Sequence, residues 1–170
     1  CYFYDHQPKN LPDDDTQADM YLGAIELLTN KGFEHYEVSN FSKKDYNSKH
    51  NLNYWNNEEY YGFGISAHGY INGVRYGNFE TLEEYINNPL THKESKILTT
   101  QEKLEEEIFL GFRKMDGIKT TDINEKFGID FEERYKEILG KYTKINLISK
   151  TPKGYKLTDQ GILVSNVVLA

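Results

Sequence analysis

The sequence is short of cysteine, of long apolar runs and of basic charge. Its single cysteine, Cys1, excludes an internal disulfide framework, and it excludes a Cys₄ zinc site or an iron–sulfur cluster held by this chain alone. No apolar run approaches the roughly 18 residues that a membrane span needs, and no apolar stretch at the N-terminus indicates a signal peptide. The scarcity of cysteine favours a reducing compartment, so we expect a cytoplasmic location.

Basic residues are in excess in neither half of the chain. Residues 1–100 carry 8 Lys and Arg against 15 Asp and Glu, a net charge of −7, and residues 101–170 carry 12 against 12. A surface that gathers phosphate groups needs a basic excess, so the sequence predicts no nucleic-acid partner.

Apolar and aromatic residues, in contrast, are plentiful. The apolar fraction is 38%, with 13 glycines in addition, which is typical of a globular protein with a real core. Aromatic residues include 14 Tyr and 9 Phe, many of them between residues 36 and 79. Because the chain starts with Cys1 rather than Met and ends on an apolar stretch, we expect a fragment of a longer protein.

Patterning in the first half predicts an α/β architecture. Acidic residues after Pro12 begin a helix that Lys31-Gly32 ends, and alternation over residues 33–41 predicts a strand. A helix, a glycine turn and a strand form an αβ unit, which is typical of parallel α/β folds. The remaining elements expected here are a loop or irregular strand over 42–57, a strand over 60–66, a tight hairpin at 71–74, and a helix over 81–87.

The second half follows a different pattern, which predicts a small α+β domain. We expect helices over residues 99–114, 120–127 and 131–139, with a break at Gly140. A two-stranded hairpin over 147–157 and a last helix beginning at Thr158 follow, and this order is winged-helix-like. The sequence therefore predicts two domains, residues 1–95 and residues 96–170.

The densest group of side chains that could carry chemistry is His-Asn-Leu-Asn-Tyr-Trp at residues 50–55. An extended segment would place His50, Leu52 and Tyr54 on one side and Trp55 on the other. An imidazole beside large aromatic rings suits a planar or metal-bearing ligand, because His is a common iron ligand. A hydrogen-bonded histidine in an aromatic core would show the same pattern, and the spacing leaves both interpretations open.

A second segment, residues 62–69, is rich in glycine and contains Gly62, Gly64, Ala67 and His68. Its spacing is not that of a dinucleotide-binding loop, and no long helix follows it. Glycines at the end of a strand allow the backbone to approach a ligand or another strand closely. A close-packed strand turn would show the same pattern, and both interpretations stay open.

Three ordered motifs carry a resemblance to a known family. The chain closely resembles the oxygen-independent coproporphyrinogen oxidase-like family of radical S-adenosylmethionine proteins, and within it the haem-chaperone branch. The motifs are Tyr36-Glu37-Val38-Ser39-Asn40-Phe41, His50-Asn51-x-x-Tyr54-Trp55 and Gly62-Phe63-Gly64-x-x-Ala67-His68-Gly69-Tyr70. The resemblance implies the C-terminal end of a partial (β/α) barrel, followed by the winged-helix-like domain. The family's three cluster cysteines, C-x₃-C-x₂-C, are absent from this chain.

The resemblance also implies cofactors and roles for individual residues. It makes His50 the haem ligand, and therefore the metal ligand, with Tyr54 and Trp55 shaping the haem site. It places Gly62, Gly64, Ala67 and His68 near the S-adenosylmethionine pocket, and it assigns no catalytic residue within this chain. The full-length parent would hold S-adenosylmethionine and a [4Fe–4S] cluster, whereas this chain alone is expected to be inactive in reductive cleavage.

Three functions are compatible with these observations. The first is a haem chaperone that binds haem and passes it to a haem-receiving protein. Peripheral contact with a membrane is compatible with this function. The second is an oxygen-independent coproporphyrinogen III oxidase, the activity of the sister branch. The third is a nucleic-acid-binding winged helix, which the acidic residues of the candidate recognition helix, residues 131–139, argue against.

Overall fold

The computed structural model describes residues 6, 8 and 10–169. Cys1 therefore lies outside the described residues. Helix α1 spans Asp14–Asn30, and its N-cap is Asp13, whose carboxylate accepts a hydrogen bond from Thr16 N at 2.8 Å. Gly32 follows with a φ of 80°, a left-handed conformation that glycine adopts without strain. The predicted first helix is confirmed.

The strand predicted over residues 33–41 is instead a hairpin of two short strands, β1 (Glu34–Glu37) and β2 (Asn40–Ser42). The chain reverses at Val38 and Ser39, just after the fully buried Glu37, whose carboxylate accepts hydrogen bonds from Ser39 N and Asn40 Nδ2. Such local side-chain bonds offer the backbone an alternative to a continuous strand. The prediction of one strand was therefore wrong.

Residues 49–55 form a helix, α2 (Lys49–Trp55), where a loop or irregular strand was expected. The Ser48 side chain caps the helix by accepting a hydrogen bond from Asn51 N at 3.3 Å. The asparagines of this segment favoured a loop by composition, but an N-terminal serine cap satisfies an amide that would otherwise lack a partner. The expected extended conformation of His50 to Trp55 was wrong.

A three-stranded antiparallel sheet follows, made of β3 (His68–Ile71), β4 (Val74–Gly77) and β5 (Glu94–Ile97). Asn72 and Gly73 join β3 and β4 with φ angles of 51° and 74°, so the predicted tight hairpin is confirmed. The strand predicted over residues 60–66 is not formed, because only Tyr60 pairs there, in a single bridge to Tyr70. Between β4 and β5 lies α3 (Leu82–Asn87), the predicted short helix.

The helices of the second half largely match expectation. Helix α4 (Thr100–Gly111) begins with a capping box made by Thr99 and Glu102, and α5 (Thr120–Phe127) ends at the left-handed Gly128. The helix predicted over 131–139 is two helices, α6 (Phe131–Arg134) and α7 (Lys136–Lys144), separated at Tyr135. The break predicted at Gly140 was wrong, since α7 continues through it; a helix tolerates an interior glycine at a cost of about 1 kcal/mol.

A second antiparallel sheet combines β6 (Ile118–Lys119) with the predicted hairpin, β7 (Ile148–Lys150) and β8 (Gly154–Leu157). Helix α8 (Asp159–Leu163), capped by Thr158 as expected, and α9 (Ser165–Val168) complete the described chain. The predicted border between residues 95 and 96 falls inside β5, and the division into two domains stays a prediction.

One apolar core serves the second half and the hairpin of the first. Phe131, 1% exposed, and Leu104, Phe112 and Ile118 belong to this core, and so does Val38 from the turn between β1 and β2. Backbone hydrogen bonds hold the turn in place, since Val38 N donates to Arg113 O at 2.9 Å and Met115 N donates to Tyr36 O at 3.2 Å. The hairpin is therefore fixed against the C-terminal end of α4.

Candidate functional site

Helix α2 presents the histidine of the His-x₃-Tyr-Trp motif to solvent. His50 is exposed, and Tyr54, one helical turn later, is half-buried on the same face. Their rings meet edge to face, with centroids 4.9 Å apart and an interplanar angle of 90°. The Tyr54 ring contacts one side of the imidazole, and the exposed remainder of the ring is accessible to a ligand.

A polar network lies behind Tyr54. The ring of Tyr60 meets that of Tyr54 edge to face at 4.4 Å, and the Tyr60 hydroxyl accepts a hydrogen bond from Arg75 at 3.1 Å. Arg75 also pairs with Glu106 at 2.6 Å and donates to Asn57 Oδ1 at 2.9 Å. Burial raises the pKa of Tyr60, so its hydroxyl stays protonated. The network ties the end of α2 to β4 and to α4.

Trp55 does not share the face of His50 and Tyr54. It lines, with Leu52, a cavity of about 880 Å³ between the β1–β2 hairpin, α2 and the second sheet. The 100° rotation per residue of a helix separates Trp55 from His50, whereas the extended conformation had placed His50 and Leu52 together. Trp55 Nε1 is buried, and no residue that the structure describes accepts a hydrogen bond from it.

The glycine-rich segment packs against its own chain. Gly62 N donates to the Tyr76 hydroxyl at 2.9 Å, and Gly64 N donates to the Tyr85 hydroxyl at 3.1 Å. The buried Asn78 donates through Nδ2 to the carbonyl oxygens of both glycines, at 3.0 and 2.9 Å, and its backbone N donates to Ala67 O at 2.9 Å. The segment therefore packs closely against its own chain, and its role toward a ligand stays a prediction.

His68 lies in β3, opposite Gly77, while His50 lies in α2. The His68 side chain is 67% exposed, and its Nε2 is 3.9 Å from Glu94 Oε1. The backbone of His68 also explains the glycine at position 62, because a Cβ on Gly62 would overlap the His68 carbonyl group. The roles assigned to these residues toward S-adenosylmethionine stay predictions.

The residues described do not fit an iron–sulfur cluster. Among them, no three His, Cys, Asp or Glu side chains are grouped so that they could hold a metal ion. A [4Fe–4S] cluster requires cysteine thiolates, and the one cysteine of the sequence lies outside the described residues. His50 offers one imidazole, which suffices for one axial bond to an iron that a ligand brings with it.

The sequence patterns missed two residues that organise the site, Arg75 and Asn78. Each is polar and partly or fully buried, but the hydrogen-bond partners of its side chain lie 14 to 31 residues away in sequence. The one sequence signal for Arg75 as an organising residue is its position within an otherwise apolar and aromatic hairpin.

In the described part of the chain, no helix is long and apolar enough to cross a membrane.

Comparison with known proteins gives a matching domain family, similar relatives and a similar solved structure. Residues 98–164 match the HemN C-terminal domain family. The chain is 38% identical over 160 residues to the heme chaperone HemW of Lactococcus lactis, and 37% identical over 163 residues to that of Bacillus subtilis. These alignments cover 93% and 94% of this chain but 42% and 43% of the two relatives, so the chain spans less than half of their length.

The fold is similar to that of coproporphyrinogen III oxidase (HemN) from Escherichia coli, which is a radical SAM enzyme. The TM-score is 0.74 at 16% identity, over 96% of this chain and 42% of that one. At this identity the likeness shows the fold alone, and it confirms the predicted mixed helix-and-sheet architecture. Residues 98–164 therefore belong to the HemN C-terminal domain family, and over almost its whole length the chain is similar to proteins named heme chaperone HemW.

Proposed function

We propose that this chain is the haem-binding part of a haem chaperone, with His50 as an axial ligand of the haem iron. One observation carries the proposal: the motif histidine stands exposed on α2, edge to face with Tyr54. The relatives named heme chaperone HemW, which align with 93% and 94% of the chain, support this reading. Haem is the cargo of such a protein, and its eventual recipient is a haem-receiving protein.

The geometry explains how the chain would hold its cargo. A neutral imidazole coordinates iron through one ring nitrogen, so access to the ring is required. The Tyr54 ring contacts the His50 ring, and Tyr60, hydrogen-bonded to Arg75, contacts the Tyr54 ring. We infer that this series of contacts orients the imidazole before haem arrives, which reduces the entropy lost on binding.

The radical chemistry of the family would belong to a longer protein. We propose that such a protein holds S-adenosylmethionine and a [4Fe–4S] cluster, and that the described residues of this chain supply no ligand set for the cluster. The amide groups of Gly62 and Gly64 already donate to tyrosine hydroxyls, so a role toward S-adenosylmethionine would use other atoms of this segment. The chain alone is expected not to cleave S-adenosylmethionine reductively.

A haemin titration followed by Soret absorption tests the proposal. We expect saturable binding to the 170-residue chain, and we expect His50→Ala to weaken it at least about tenfold, which is the loss of about 1.4 kcal/mol. The matched control is His6→Ala, which removes another exposed histidine and should leave the titration unchanged. Equal affinities in His50→Ala and wild type would contradict the proposal.

Coproporphyrinogen III oxidation, the activity of the sister branch of the family, remains the alternative, and the His50-Asn51-x-x-Tyr54-Trp55 motif favours the chaperone over it. Anaerobic turnover of coproporphyrinogen by a reconstituted full-length protein would support this alternative. Absence of turnover, with cluster and S-adenosylmethionine present, would exclude it.

A further inference from the structure

A second cavity, of about 550 Å³, lies in the second half of the chain between α4, α7 and the end of α9. Its volume is within the roughly 300–1,000 Å³ that is common for sites of small ligands. The side chains that line it are mostly apolar or aromatic, and they include Phe109 of α4, Ile138 and Tyr142 of α7, and Leu169 after α9. We call this cavity the α4–α7 groove.

The floor of the α4–α7 groove belongs to the core, whereas its rim is open to solvent. Phe112 and Phe131 on the floor are 5% and 1% exposed, but Phe109 and Ile138 on the rim are 36% and 52% exposed. The lining reaches along α4 from Gln101 to Phe112, which is about 16 Å at a rise of about 1.5 Å per residue. The groove is therefore elongated, and an apolar ligand in it would remove exposed apolar side chains from water.

Arg113 lies at one end of the groove, directly after the C-cap of α4. Its guanidinium carbon is 5.0 Å from the ring centroid of Phe109, and its Nη2 donates one long hydrogen bond, of 3.4 Å, to Asn166 Oδ1. No carboxylate of the described residues lies within 4.0 Å of this guanidinium, and the carboxylate of Glu37 is bonded to its own turn instead. Because a guanidinium is a strong donor to carboxylates, the end of the groove at Arg113 suits an anionic group.

The opposite end of the groove carries charges of both signs. The carboxylate of Glu105 accepts a hydrogen bond from Gln101 Nε2 at 2.6 Å, and Arg134 donates to Gln101 Oε1 at 2.6 Å. Glu106, which also lines the groove, is paired with Arg75 at 2.6 Å. An anion at this end would meet the negative charge of Glu105, so the charges favour the Arg113 end for an anionic group.

We propose that the α4–α7 groove binds a long-chain carboxylate, a ligand of the fatty-acid class, with its carboxylate at Arg113. An unbranched apolar chain fits an elongated apolar groove, and a single charged head fits the one guanidinium at its end. The described residues that line the groove include no His, Cys or Met, and His50 lies outside it on α2. The proposal is therefore independent of the proposed haem site.

Isothermal titration calorimetry with decanoate and with decanol tests the proposal, because decanol keeps the chain but lacks the charge. For the wild-type chain, we expect decanoate to bind at least about tenfold more tightly than decanol, as for one charge-assisted hydrogen-bonded pair. Arg113→Gln should remove this preference and leave the affinity for decanol unchanged, whereas Arg113→Lys should retain part of the preference. Octanoate should bind the wild-type chain more weakly than decanoate, by up to about fourfold per methylene group lost.

Two matched pairs of variants locate the chain and the carboxylate of the ligand. Ile138→Asn should weaken the binding of both ligands several-fold, whereas Ile145→Asn, which changes a similarly exposed isoleucine outside the groove, should weaken neither. Arg134→Gln, which removes the cation at the opposite end, should bind decanoate with nearly the wild-type affinity. His50→Ala should also bind decanoate like wild type, which separates this site from the proposed haem site.

The comparison of decanoate with decanol on the wild-type chain needs no variant, and circular dichroism verifies that each variant is folded. Absence of saturable decanoate binding, or equal affinities for decanoate and decanol, would overturn the proposal. A loss in Arg134→Gln as large as that in Arg113→Gln, or equal losses in Ile138→Asn and Ile145→Asn, would overturn it as well.

Discussion

Asn78 and Gly62 illustrate how single residues determine the shape of the glycine-rich segment. Asn78 is buried, and it binds the carbonyl oxygens of Gly62 and Gly64 while its own Oδ1 lies 2.9 Å from His92 Nδ1. Gly62 lies so close to the His68 backbone that a side chain there would overlap it. The residue types at these positions are thus required by packing, whatever ligand the segment meets.

This close packing predicts opposite effects for two glycine-to-alanine substitutions. Gly62→Ala should lower the free energy of unfolding by about 1–3 kcal/mol, because the added methyl group forces the backbone of His68 to move. Gly140→Ala should raise the free energy of unfolding by about 0.5–1 kcal/mol, because Gly140 is inside α7 and the position of an added Cβ is open. Urea denaturation followed by circular dichroism measures both, and a change of the same sign in the two variants would contradict this reading.

Residue-level prediction from sequence succeeded where the signal was local. The motif drew attention to His50 and Tyr54, and the structure places their rings in contact. The pattern could not show Arg75 or Asn78 as organising residues, because their contacts join segments far apart in sequence. The extended conformation expected from the sequence placed Trp55 and Leu52 on opposite sides. In the helix that forms instead, both side chains line the same cavity.

Capping and turn signals decided which elements could be predicted. Helices α1, α3, α4 and α8 begin at Asp or Thr caps that the sequence displays, and the hairpin at residues 71–74 has the Asn-Gly pair. The hairpin of β1 and β2 was missed because Glu37, a residue not typical of turns, holds the reversal by side-chain bonds. Helix α2 was missed because its one serine cap lies within an asparagine- and lysine-rich stretch.

The cap of α4 predicts a pH dependence of stability. Glu102 accepts hydrogen bonds from Lys96 Nζ at 2.6 Å and from Thr99 N at 2.9 Å, and these lower the pKa of its carboxyl from 4.5 to about 2. A carboxyl whose pKa is lower in the folded state stabilises the fold above about pH 4.5, and this contribution is lost as the pH falls toward 2. Glu102→Gln should therefore be less stable than wild type at pH 7, and the difference should shrink between pH 4.5 and 2.

Thermal denaturation at a series of pH values measures this difference. The control is Glu125→Gln, which neutralises an exposed carboxylate of α5 and should show no such trend. A stability difference for Glu102→Gln that stays constant from pH 7 to pH 2 would show that the cap does not depend on the ionised carboxylate.

At the scale of the whole molecule, the apolar core and the site occupy different parts of the fold. The core includes Val38 from the first half together with Leu104 and Phe131 from the second, so the β1–β2 hairpin is anchored to the C-terminal domain. The residues that follow α2 connect to the same domain, because Asn57 accepts a hydrogen bond from Arg75, which pairs with Glu106, and Asn56 accepts one from Lys114. Both halves of the chain therefore contribute contacts that hold α2, and with it His50, in place.

The sequence predicted the mixed architecture and the family, because three motifs in order are a specific signal and helix–hairpin–helix patterning is local. It could not predict that the described strands pair only antiparallel, since strand pairing depends on contacts between distant segments. Nor could it predict the cavity between α2 and the C-terminal domain, which exists only once both have folded.

The most direct test of the central claim is resonance Raman spectroscopy of the ferrous haem complex of this chain. If His50 is the axial ligand, wild type will show an iron–imidazole stretching band, and His50→Ala will lose it while His6→Ala retains it. Addition of free imidazole to His50→Ala should restore such a band, because the small molecule can occupy the position of the missing ring. An iron–imidazole band of full intensity in His50→Ala, without added imidazole, would contradict the account.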